Sequence, residues 1–281
     1  MHDSGFKEER WQHTRSLRIG YRQVGNGPTI VLLHGIGSGA GSWASLTALL
    51  AGHGRLVAWD APGYGDSEEL ATPEPTAAHY AAALHDLLEA LKLEPFYLVG
   101  HSLGAMMAAA YAAHYPERVR GVLLADPAQG YGWAEPAERE RIRCERVTRL
   151  AELGASSYAR QRAGALLRSE PEPEALEIVR TSMRRLRLKG FSQANWMLAN
   201  DDIWRYLPAW HGPLHIACGE ADSITPLTDA MTLAQRMNAP CTPLPRAGHV
   251  SYIDAPEAFA RLVLDLIQTS DNSVPYKQER A

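Results

Sequence analysis

The 281 residues are 46% hydrophobic and 21% charged, an ordinary globular balance with enough chain for one or two buried cores, which rules out disordered and collagen-like classes. A formal net charge of −4 argues against a general nucleic-acid binder, which needs a basic excess. No apolar run reaches the ~18 residues of a membrane span.

Residues 1–10 are charged and lack the apolar stretch of a secretion signal. The three cysteines, Cys144, Cys218 and Cys241, are far apart with no C-x-x-C pair, and read as reduced thiols of a cytoplasmic protein. Residues 11–24 alternate loosely and end at the turn cluster Gly25-Asn26-Gly27-Pro28, predicting a hairpin. Thr29–Leu33 is a short continuous apolar run, the pattern of a strand covered on both faces. A helix over 42–51, a strand over 56–59, and a helix over 76–91 capped by Thr76 come next. They are followed by a strand over 96–99, a helix over 103–115 and a strand at Val119–Ala125. Near the other end the pattern gives a strand over 214–218, a helix at Leu227–Met237, a strand at Cys241–Leu244 and a helix over 256–268. The polar tail, 269–281, is expected to fray.

Residues 133–189 differ from these strand–helix units. They contain no convincing strand, and twelve arginines plus Lys189 outnumber nine acidic residues. The segment reads as amphipathic helices laid over the sheet. Its basic excess is either a solvated face or an attraction for an anionic substrate.

Gly100-His101-Ser102-Leu103-Gly104 is a G-x-S-x-G pentapeptide between a predicted strand and a predicted helix. A nucleophile on so sharp a turn needs bare backbone on either side, and the helix N-terminus behind it favours developing negative charge. A serine hydroxyl also needs a base. His249, on the glycine-bearing loop after the last strand, fits that role, and His215 reads as a core histidine. Asp222, just past the strand over 214–218, is the acceptor that would hold the imidazole's tautomer. Asp126, which also follows a strand end, competes for that part, while Glu220 reads as surface charge. The backbone N–H groups of Leu103 and of Ile36, in the loop after Thr29–Leu33, are placed to hold an oxyanion.

With these residues the chain resembles the α/β-hydrolase family over nearly its whole length. The resemblance is carried by His34-Gly35, by Asp60-Ala61-Pro62-Gly63-Tyr64-Gly65-Asp66-Ser67, by the pentapeptide around Ser102, by Asp222 and by Gly248-His249. It implies a mostly parallel eight-stranded sheet flanked by helices, with 1–130 and 208–281 as the core and 131–207 as a helical cap. It also implies catalytic Ser102, Asp222 and His249 in that chain order, with oxyanion donors at Ile36 and Leu103. The loop over 34–43 is similar to that of meta-cleavage-product C–C hydrolases and enol-lactone hydrolases. Val250, however, stands where the C–C hydrolases carry tryptophan, and Arg184, Arg185 and Arg187 all compete for their carboxylate-binding arginine. Ser102 argues against the aspartate-nucleophile dehalogenases and epoxide hydrolases of the same fold.

The expected activity is cofactor-free and metal-free acyl transfer on a small carboxylic ester or lactone, with C–C bond hydrolysis of a vinylogous diketone acid as the alternative. The partner is a small molecule, with the arginines suggesting a carboxylate on it; neither nucleic acid nor membrane is expected. Gly35, Gly37, Arg184, Trp196 and Val250 are the candidate substrate contacts. Tyr131, Trp133, Tyr158, Met183 and Met197 are further pocket candidates. Two rivals remain: a dinucleotide site, because Gly35–Ala40 fits G-x-G-x-x-G/A with Asp60 ending the next strand, and a non-catalytic binding protein on the hydrolase fold. Substrate identity and oligomeric state have no mark in the sequence.

Overall fold

The computed structural model describes residue 6 and residues 8–273. Its strands are β1 (Arg10–His13), β2 (Arg18–Val24), β3 (Thr29–Leu33), β4 (Arg55–Trp59), β5 (Phe96–His101), β6 (Val119–Ala125), β7 (Leu214–Gly219) and β8 (Cys241–Leu244). They form one eight-stranded sheet of order β1-β2-β4-β3-β5-β6-β7-β8. β1 and β2 make the expected hairpin and β2 pairs antiparallel with β4. Every other pairing is parallel. All residues of β3 and β5 are buried, as strands between two helical layers must be.

α1 (Ala44–Leu50), α2 (Ala77–Ala90) and α3 (Leu103–His114) follow β3, β4 and β5 in turn. Thr76 caps α2 through a reciprocal pair of hydrogen bonds with His79, which stands where a capping box usually has Glu or Gln. The first ten residues of α3 are all buried, so its sequence is Ala- and Met-rich without a polar face. β3 bonds to β4 on one side and β5 on the other. The strand order therefore reverses there, and the crevice beyond the carboxyl ends of β3 and β5 is where such sheets place ligands.

Between β6 and β7 lie α4 (Pro136–Arg162), broken at Gly154 (φ 68°), then α5 (Pro173–Arg184) and α6 (Leu188–Asn200). A single bridge between Gly130 and Asp202 draws the two ends of this segment together. Among the described residues half of the twelve arginines over 133–189 are spent on ion pairs, such as Arg141 with Glu138 and Glu145, and Arg168 with Glu172. The local positive excess is in large part a solvated face.

α7 (Leu227–Met237), α8 (Ser251–Asp254) and α9 (Pro256–Ser273) complete the fold. The tail expected to fray from 269 is helical to Ser273, while 274–281 lies outside the described residues. Ser270 is buried where Gly121 of β6 leaves room for it, so a polar-looking turn is held by packing. Among the described residues no helix is long and apolar enough to cross a membrane.

Candidate active site

Ser102 sits between the last residue of β5 and the first of α3 with φ 53° and ψ −119°, a backbone region that non-glycine residues rarely occupy. The flanking glycines follow from contact distance. A Cβ on Gly100 would stand 2.5 Å from the carbonyl oxygen of Gly104, and one on Gly104 would stand 2.3 Å from that of Leu33. The strained turn is thus held in place by neighbours that tolerate no side chain on either side of it.

His249 and Asp222 converge on this serine. His249 Nε2 lies 2.9 Å from Ser102 Oγ, and its Nδ1 lies 2.9 Å from Asp222 Oδ2. Asp222 Oδ1 accepts the backbone N–H groups of Ile224 and Thr225 at 2.7 and 3.0 Å. Its Oδ2 also accepts the Thr225 hydroxyl at 2.7 Å. Burial pushes the Asp222 pKa up, but the hydrogen bond and charge of His249, with the Thr225 donors, outweigh it and hold the group below the usual carboxylate value. An ionised acceptor at Nδ1 leaves the Nε2 lone pair facing the hydroxyl, an arrangement able to take its proton.

Asp126 is not in the competing position. Its Oδ1 accepts Gly219 N–H at 2.8 Å and its Oδ2 accepts the Ser251 hydroxyl, while no hydrogen bond joins it to His249. It is fully buried, directly after β6, with a backbone φ of 45°. Burial raises its pKa to about 7; the Asp222 charge adds to this, against the lowering effects of His249, Ser251 and Gly219. Thr225 bridges the two acids, with its hydroxyl 3.0 Å from the Asp126 carbonyl oxygen and 3.1 Å from His249 Nδ1. His101 Nε2–H donates to the His249 carbonyl at 2.7 Å; burial, and then the like charge of His249, depress its pKa to about 3, so it stays neutral. The sequence held one faint sign of Asp126, a charged residue directly after an unbroken apolar strand. Thr225 and His101 left no such sign. Glu220 is exposed, as read, whereas His215 is half-buried, its ring bonded to the Thr242 hydroxyl at 2.8 Å, and not in the core.

The loop after β3 is pinned by His34, whose Nε2 accepts Ala61 N–H at 3.0 Å while Nδ1 lies 2.8 Å from the Gly35 carbonyl. A Cβ on Gly35 would come within 2.9 Å of Ser102 Cβ, so only glycine lets this loop lie over the serine. The Ile36 carbonyl accepts the Tyr64 hydroxyl at 2.8 Å, and its N–H has no acceptor among the described residues. Leu103 N–H opens α3, where no preceding turn offers a carbonyl. Asp60 Oδ1 accepts Ala40 N–H at 2.8 Å, and Gly65 is folded against the same carboxylate. That acid is therefore engaged by its own loops instead of facing a ribose, as a dinucleotide site requires.

Two cavities meet at Ser102, a cleft of about 590 Å³ and a narrower chamber of about 60 Å³, with Ile36, Arg146 and Ile224 lining both. Gly35, Gly37, Val250, Tyr158 and Met183 face the chamber, and Tyr131 and Trp133 face the cleft. Arg184 and Trp196 line neither. Arg184 pairs with Glu177, and Trp196 lies under Arg143, whose guanidinium carbon is 6.0 Å from the ring centroid. Met197 is buried within the helical segment. Arg185 is tied to Glu9 and Arg187 to the Ser67 carbonyl. The reason is helical phase: α5 turns Val179 and Met183 inward, which carries Arg184 outward. The arginines at the cavities are instead Arg146 and Arg162 of α4 and Arg236 of α7 (Leu227–Met237), and none of the three has an ion pair among the described residues. Asp126, Cys218 and Asp222 present possible metal-ligand atoms within 4.8 Å of one another. Both acids already accept several donors, however, and burial pushes the Cys218 thiol well up, so the trio is a hydrogen-bonded knot.

A family model described as "Alpha/beta hydrolase family" matches residues 30–262. The chain is 27% identical over 264 residues to a 2-hydroxy-6-oxo-6-phenylhexa-2,4-dienoate hydrolase of Burkholderia cepacia, covering 90% of this chain and 92% of that protein. It is 25% identical over 255 residues to 3-oxoadipate enol-lactonase 1 of Acinetobacter baylyi, covering 91% and 94%. Among solved structures, a thermophilic esterase from Thermogutta terrifontis superposes with a TM-score of 0.83 at 22% identity, covering 94% of this chain and 99% of that one.

Proposed function

The chain belongs to the alpha/beta hydrolase family, and from that premise we propose that it is a serine hydrolase of small carboxylic esters or lactones, working by acyl transfer at Ser102. The observation that carries this reading is the pair of 2.9 Å contacts joining Ser102 to His249 and His249 to Asp222. His249 takes the hydroxyl proton as Ser102 Oγ attacks the carbonyl carbon, and the amides of Ile36 and Leu103 receive the oxyanion. The imidazolium then protonates the leaving oxygen. Water, deprotonated by the same imidazole, releases the acid and restores the serine. The protein's own residues complete this cycle.

Residues 131–207 act as a cap over a core of 1–130 and 208–281. In place of Arg184, Arg146 and Arg162 are the groups that would meet a carboxylate on the substrate, because they reach the cavities without a carboxylate partner of their own. A cytoplasmic setting is supported by the cysteine pattern alone. The Burkholderia cepacia relative favours a second reading, C–C bond hydrolysis of a vinylogous diketone acid with the same residues.

A panel of p-nitrophenyl acetate, an enol-lactone and a vinylogous diketone acid tests both readings. Turnover of the ester or lactone, lost by at least ~10⁴-fold in Ser102→Ala, is the expected result. Turnover of the diketone acid alone replaces the first reading with the second, and Ser102-independent turnover contradicts both.

A further inference from the structure

We propose that the two cavities divide the substrate at its scissile bond, with the leaving group in the narrow chamber and the acyl group along the larger cleft. The preferred substrates are then esters of short alcohols with bulky, partly aromatic acids. This rests on the hydrolase reading above and goes beyond it by fixing which end of the ester is large.

The directions follow from the four substituents of the tetrahedral carbon. One is Ser102 Oγ. The oxyanion points to the amides of Ile36 and Leu103, and Leu103 faces the cleft. The leaving oxygen must come within reach of His249 Nε2, the group that hands it a proton. His249 and Val250 form part of the chamber wall and are absent from the cleft wall. The leaving group is therefore directed into the chamber, and the acyl chain takes the remaining direction.

The volumes then set the sizes. The chamber holds about 60 Å³, room for a few water molecules, and Tyr158, Val179, Met183 and Phe191 close it. That space suits a methoxy or ethoxy group and disfavours a bulkier one that needs its proton from His249; p-nitrophenolate, which leaves as a stable anion, needs no such proton and is not confined there. The cleft holds about 590 Å³, within the range of small-molecule pockets, and offers the aromatic faces of Tyr131, Trp133 and Trp204. Trp133 is 72% exposed, so its ring is free to meet an acyl group in the cleft. Arg236 stacks on Trp204 at 3.5 Å from the ring centroid and stiffens that wall.

The steps balance. As the C–O bond to the alkoxy group breaks, its oxygen takes the proton from the His249 imidazolium, and the neutral alcohol leaves the chamber. Water fills the vacated space beside His249, gives it a proton while adding hydroxide to the acyl carbon, and the carboxylic acid departs along the cleft as Ser102 regains its proton.

Methyl phenylacetate and benzyl acetate test this, since they are isomers with leaving alkoxides of similar basicity and opposite distribution of bulk. The expected result is a kcat/KM for methyl phenylacetate at least about tenfold above that for benzyl acetate, with the gap narrowed in Met183→Ala or Val179→Ala as the chamber widens. Equal values, the reverse preference, or a gap that both wall variants leave unchanged overturns the division. So does failure to turn over either ester by protein that a fluorophosphonate labels at Ser102. Absence of that labelling is a different outcome, which removes the hydrolase reading itself.

Discussion

Two buried carboxylates lie close behind His249, and their surroundings set them apart. Asp222 gathers donors from Ile224, Thr225 and His249, and its pKa falls. Asp126 accepts from Gly219 and Ser251 but is more deeply buried, and its pKa is pushed up to about 7. An unfolded aspartate releases its proton near pH ~4, so between there and about pH 7 the native state binds more protons at Asp126 than the unfolded one, and stability falls as pH rises. Asp126→Asn removes this titration. Its melting temperature should decline less than that of the parent protein between pH 5 and 8, and parallel declines in a thermal-melt series would contradict the assignment. At this scale the sequence marked Ser102 by the glycines around it, and Asp222 and His249 by their places on the short loops after β7 and β8. It hid Thr225 and the place of Asp126, because those depend on which loops meet in space. Arg184 was misplaced because one helical step separates it from the inward-facing Met183.

The turn at Ser102 depends on two elements crossing without side chains. Gly104, in the first turn of α3, lies directly against the carbonyl of Leu33, at the end of β3. A Cβ there meets backbone, which cannot rotate away, so Gly104→Ala should destabilise the fold by about 3 kcal/mol, at the upper end for overpacking, or more. The denaturant midpoint measures this, and an unchanged midpoint would contradict it. The central strands were legible because full burial leaves an unbroken apolar run, and α3 was legible through its length and its place after the pentapeptide. The end of α9 was not. Its last turn looks polar, and only the recess at Gly121 reveals why Ser270 is buried. The break of α4 at Gly154 also escaped a reading based on periodicity, because the helix resumes after it.

At the scale of the molecule, the helical segment after β6 is joined to the sheet-bearing part at points beside the candidate site. Val250 N–H donates to the Leu166 carbonyl, and Asp254 accepts from both Gly248 N–H and Arg168 N–H, each at 2.8 Å. On the opposite side α6 rests on the loop after β4, where a Cβ on Gly190 would lie 2.1 Å from the Gly63 carbonyl oxygen. Gly190→Ala should therefore lift the helical segment and lower kcat/KM for esters about tenfold, since small displacements near a site are costly. Gly164→Ala, where nothing lies within 4 Å, is the control and should leave it unchanged. Equal effects of the two substitutions would show that this contact does not govern the site.

Everything above turns on Ser102 being a nucleophile that His249 activates. The most direct measurement is intact-mass and peptide mapping after exposure to a fluorophosphonate. The account predicts a single adduct on Ser102 that is lost in folded His249→Ala protein. A folded protein that takes no adduct, takes one elsewhere, or is labelled equally well without the imidazole would contradict it.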